Sequence, residues 1–95
     1  LINIGIIYLE QGDYAKAIDY YTKSLKIKEE LGNKKGIANS LNNIGIIYKD
    51  QGDYAKAMDY FTRSLKIYEE LGDKHGIAMS LNNIGNIYKD QGDYA

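Results

Sequence analysis

Cysteine, proline and tryptophan are absent from this 95-residue chain. Without cysteine there is no disulfide, no thiol nucleophile and no thiolate metal site. Without proline nothing interrupts long helices, and the turns between them fall to glycine. A surplus of one charge is missing too: 12 basic residues face 13 acidic ones, interspersed, for a net charge of −1. That balance offers no general attraction for nucleic acid or anionic membranes, so neither is expected as a partner. No apolar run approaches the ~18 residues needed to span a bilayer, and no signal peptide is visible. A cytoplasmic location is the expectation.

What the chain does contain is repetition. Residues 41–80 match residues 1–40 at 30 of 40 positions, and residues 81–95 match 41–55 at 14 of 15. A period of 40 residues is the signature of a solenoid built from stacked units. Two complete units, 1–40 and 41–80, are followed by 15 residues of a third. The chain lacks an initiator Met and stops inside a unit, so it reads as one array, 1–95, cut from a longer one.

In the central unit Ile37, Leu41, Ile44, Gly45 and Tyr48 fall at helical spacing on one stripe. The spacing predicts a helix A from about 35 to 51. Gly52 supplies a left-handed terminus, and Asp53 can cap the next helix through its carboxylate. Helix B follows, with Tyr54, Met58, Phe61, Leu65, Tyr68 and Leu71 on its stripe and Ala57 and Ser64 beside it. Gly72 ends it and Asp73 can cap the following helix. By the same rules helices are expected near 1–11, 14–31 and 75–91, giving five helices and no strands. The recurring mid-helix glycines Gly5, Gly45 and Gly85 imply close helix approach, with Gly45 facing the small Ala57, since such a glycine costs roughly 1 kcal/mol relative to alanine.

Leu41-x2-Ile44-Gly45-x2-Tyr48 followed by Ala57-x3-Phe61 resembles the tetratricopeptide repeat. Leu1, Ile4, Gly5, Tyr8, Ala17 and Tyr21 carry the pattern in the first unit, and Leu81, Ile84, Gly85 and Tyr88 begin it in the third. The period of 40 departs from the usual 34. A longer helix B and the connector Glu69-Glu70-Leu71-Gly72 stand where the family has its proline. This longer form is similar to the repeats of kinesin light chain, Pins-type adaptors and bacterial signalling proteins. The resemblance implies an all-α, right-handed superhelix of helical hairpins, with helices A lining a concave face. It further implies a module that binds a peptide segment of a protein partner, with no cofactor and no enzymatic activity.

By the family's register, the groove positions of helix A are Asn39, Asn42, Asn43, Ile46, Lys49 and Asp50 in the central unit. Ile2, Asn3, Ile6, Leu9 and Glu10 are their counterparts in the first unit. Met79, Asn82, Asn83, Asn86, Lys89 and Asp90 are those of the third. Differences between units fall on several of these positions, at 2/42, 9/49, 10/50, 39/79 and 46/86. Ligand selection and drift of a solvated face both account for that variation. Asn3, Asn43 and Asn83 are unchanged, although asparagine is a poor helix former. Two reasons stand side by side: amides offered to the backbone of an extended peptide, or an amide ladder between neighbouring helices A. Ile2, Ile6 and Leu9 make one end of the face apolar, while Asn82, Asn86 and Lys89 make the other polar and mildly basic. The family's carboxylate clamp is not expected, because Ile2 and Ile6 occupy positions that need Lys and Asn.

Little else points to chemistry. His75 is the one histidine and has no Cys or Ser partner, so it suggests neither catalysis nor a metal site. Asp50-Gln51-Gly52-Asp53 lacks the ligand set of a calcium loop. Glu29-Glu30 and the lysines from Lys23 to Lys35 read as solvated charge. The ten tyrosines fall mainly on packing positions rather than forming a stacking platform for bases. Alternatives to a groove ligand are a structural spacer or self-associating array, and the regulatory arm of a larger signalling enzyme. Ile84, Ile87 and Tyr88 are expected to be left uncovered, which invites end-to-end self-association.

Overall fold

The turns come first, because they dictate how the helices pair. The computed structural model describes residues 12–92, together with Ile4 and Ile6, and contains four helices in these residues. They are α1 (Tyr14–Glu30), α2 (Lys34–Asp50), α3 (Tyr54–Leu71) and α4 (Lys74–Asp90). No strand occurs among the described residues. The first expected helix, near 1–11, lies outside them apart from Ile4 and Ile6, which are helical.

Each helix begins on a side-chain cap. Asp13 accepts from the backbone of Lys16 at 3.1 Å, Asn33 from Gly36 at 2.9 Å, Asp53 from Lys56 at 3.2 Å and Asp73 from Gly76 at 3.1 Å. These oxygens satisfy amides that the helix itself leaves unpaired. Between α2 and α3 the chain reverses at Gly52, whose φ of 81° suits a residue without a Cβ. There the Asp53 amide donates to the Tyr48 carbonyl at 2.9 Å, closing the helix end. Gly72 ends α3 in the same left-handed conformation.

With such short turns, consecutive helices have to pack side by side. α2 packs most extensively on α3, α1 packs on α2, α3 packs on α4, and α2 touches α4 at a few points. The body is 18 Å thick, about two helix diameters. It is an all-α solenoid of hairpins, as the repeat implies.

The core forms two clusters. Ala17, Tyr21, Leu25, Leu41, Ile44 and Ile47 make the first, and Ala57, Phe61 and Ile87 the second; Tyr48 packs against both. The interior is therefore continuous from one unit to the next, which an isolated hairpin could not achieve against the entropy of ordering its residues.

Three expectations need correcting. A Cβ on Gly45 would lie 2.7 Å from the Phe61 ring, so the glycine makes room for that ring and not for Ala57. Leu71 is exposed and off the buried stripe of α3. Ile87 is fully buried, because helix A has a second apolar face directed at the preceding helix B; Ile47 fills the same role against α1.

Candidate functional site

The groove positions lie on α2 and α4, and adjacent packing brings those two helices together at an amide pair. Asn83 Nδ2 donates to Asn42 Oδ1 at 2.7 Å, and Asn42 Nδ2 reaches the sulfur of Met79 at 3.8 Å. Asn42 is thereby buried rather than facing a ligand. The bond links Asn42 with Asn83 and leaves Asn43 out. Neighbouring helices are thus staggered by one position, and of the two readings left open for the unchanged asparagines, the ladder is not formed between Asn43 and Asn83.

The other groove positions separate by environment. Asn39 is half-buried and accepts a hydrogen bond from the Tyr68 hydroxyl. Burial raises the pKa of that phenol, which keeps it a donor. Ile46 is half-buried against Ala57, Phe61 and Ile87, so part of its side chain belongs to the core. Asn43, Lys49, Met79 and Asn83 are half-buried, while Ile6, Asp50, Asn82, Asn86, Lys89 and Asp90 are exposed. Asn3 and Leu9, with Ile2 and Glu10, lie outside the described residues.

One open depression of about 400 Å³ is lined by His75, Ala78, Met79, Asn82 and Asn83. It gathers three expected groove residues and adds His75 and Ala78, which sequence reasoning had not assigned to the groove. Their counterparts Lys35 and Ala38 were the available signal. Ala38 is fully buried, and Lys35 pairs with Asp73 of the following repeat at 3.6 Å, so this face of a helix A meets the next repeat.

Around Asp73 the electrostatics are local. The Gly76 amide, and then the Lys35 ammonium, hold its carboxyl below the usual carboxylate range. Among the described residues no group of three or more His, Cys, Asp or Glu side chains could hold a metal ion. None of the described helices is long and apolar enough to cross a membrane. The chemistry on offer is amide hydrogen bonding, two ammonium groups and small apolar surfaces.

Comparison with known proteins agrees with this geometry. The family model described as tetratricopeptide repeat matches residues 1–70 and again 36–95. No curated protein matches the chain. Among solved structures, the solution NMR structure of the designed protein DA05 is similar with a TM-score of 0.79 and 26% identity. The match covers 86% of this chain and 83% of that one. Repeated sequence words, capped helical hairpins and the family match agree, and this chain belongs to the tetratricopeptide repeat family.

Proposed function

We propose that this chain binds an extended peptide segment of a protein partner along the face formed by α2 and α4. The family generally mediates protein–protein interaction, and the proposal adds the surface and its chemistry. One observation carries it. Asn42 holds the Asn83 amide by one N–H, while Asn83 Oδ1 and the other N–H have no partner among the described residues. An amide oriented in this way supplies a donor and an acceptor at fixed spacing, which suits a peptide backbone.

Asn43, Asn83 and Asn86 would contact the ligand, Lys49 and Lys89 would favour acidic or amide groups, and Asn42 positions Asn83. Toward the first repeat, Ile6 with Asn3 and Leu9 would take an apolar side chain. The test is selection from a displayed library of extended peptides, run on the wild type and on the Asn43→Ala/Asn83→Ala variant. Enrichment on the wild type that the variant loses is the expected result. Equal enrichment on both, with the variant folded by circular dichroism, would overturn the reading.

A further inference from the structure

Asn39, in the middle of the chain, differs from the other asparagines of the α2–α4 face in how its amide is held. Its Oδ1 accepts the hydroxyl of Tyr68, which reaches it from α3. The Tyr68 ring is buried and packed so closely on Gly76 that a Cβ there would clash with it. The phenol therefore has one seat, and its hydroxyl one direction. With the oxygen taken, Asn39 has only its Nδ2 group left to offer. That nitrogen has no partner among the described residues, yet it is not enclosed, since Ser80 Oγ is the one buried side-chain atom among them left without a partner. Asn83, held through one N–H, still offers both a donor and an acceptor; Asn39 offers donors alone.

The arrangement occurs once. Lys28 stands at the Tyr68 position of the preceding unit, and Met79 stands at the Asn39 position of α4. An extended peptide lying across near-identical helices could slide by one repeat and lose little, unless some contact exists at a single place. We infer that Asn39, positioned by Tyr68, receives a carboxylate side chain of the bound peptide and so fixes where the peptide sits along the face, an inference that rests on the groove reading above. Carboxylates are the side chains that accept hydrogen bonds and donate none. A lysine or arginine at the same place would set donor against donor, which is discrimination by repulsion as well as by attraction. Because the amide is oriented before the peptide arrives, little ordering is lost on binding. Tyr68 itself is buried and acts only through Asn39.

The test is parallel selection of a displayed library of extended peptides on the wild type, Tyr68→Phe, Asn39→Asp and Asn43→Ala/Asn83→Ala. The wild type should enrich aspartate or glutamate at one peptide position. Asn39→Asp keeps an acceptor for the Tyr68 hydroxyl but replaces the donor with a carboxylate oxygen, so that position should change from acidic residues to lysine or arginine. Tyr68→Phe keeps the ring and frees the amide to turn. The acidic preference should then fall about two- to tenfold while the rest of the enriched pattern stays. A mere loss of stability would weaken every position alike and move neither preference. An unchanged acidic preference in Asn39→Asp or in Tyr68→Phe overturns the inference, as does wild-type enrichment without an acidic position. If Asn43→Ala/Asn83→Ala still loses its enrichment in those cases, the groove reading stands without this contact. No enrichment on the wild type over a bare support overturns both.

Discussion

The side-chain amide of Asn83 donates to Asn42 across 41 residues of sequence and one repeat boundary. A donor from one unit thus completes an acceptor in the previous one, so the two substitutions should not be additive. In a double-mutant cycle with Asn42→Ala and Asn83→Ala, denaturant melts should show a coupling of about 1 kcal/mol. Additive losses would mean that the pair contributes no mutual stabilisation.

Glycines at the same repeat position should respond with opposite signs. Gly45→Ala drives a methyl group into the Phe61 ring and should cost about 1–3 kcal/mol. Gly85→Ala meets open space and gains helix propensity, worth up to about 1 kcal/mol where the helix does not fray. Thermal unfolding of the two variants decides this, the first falling below the wild type and the second rising above it.

Ser80 is fully buried and its hydroxyl has no hydrogen-bond partner among the described residues. In the preceding unit Lys28 Nζ donates to the equivalent Ser40 at 3.3 Å, but Tyr68 stands where that lysine would be. Ser80→Ala should therefore stabilise the chain by roughly 1 kcal/mol. Ser40→Ala, which strips the lysine of its partner, should not. A chemical-denaturation midpoint for each variant tests the contrast.

Asp73 gives the stability a pH dependence with a defined sign. Its folded pKa is depressed, so its contribution is present above the unfolded carboxylate value and is lost as pH falls through the folded one. In Asp73→Asn the amide can still cap Gly76, as Asn33 caps Gly36, but the ion pair with Lys35 is gone. Melting temperature should then vary less with pH below about pH 4 than in the wild type. Identical pH profiles would remove Asp73 from the account.

The helices and their ends were legible because they depend on local chemistry. Asp53 and Asp73 cap where a carboxylate before a helical run should, and Gly52 and Gly72 end helices where a left-handed residue is needed. What escaped were relationships that depend on two helices at once. Ile47 and Ile87 were apolar in plain view, yet only the preceding helix B shows that they face it. The Asn42–Asn83 bond depends on a one-residue stagger between units, and no alignment of repeats by sequence contains that offset. Asn42 reads as a groove position for this reason, and in the structure it is buried in a bond to Asn83.

The exchange of Lys28 for Tyr68 bears finally on how the chain folds. Units that match at 30 of 40 positions can pair out of order, so that a helix settles against the wrong neighbour. The exchange at 28/68 makes the joints unlike. The Tyr68 ring lies against Gly76 and its hydroxyl binds Asn39, while Lys28 runs beside Gly36 to reach Ser40. A slipped α1 in the place of α3 would surrender a buried aromatic ring and its hydrogen bond. Residue 68 thus works as a registration mark, telling near-identical helices apart while they assemble.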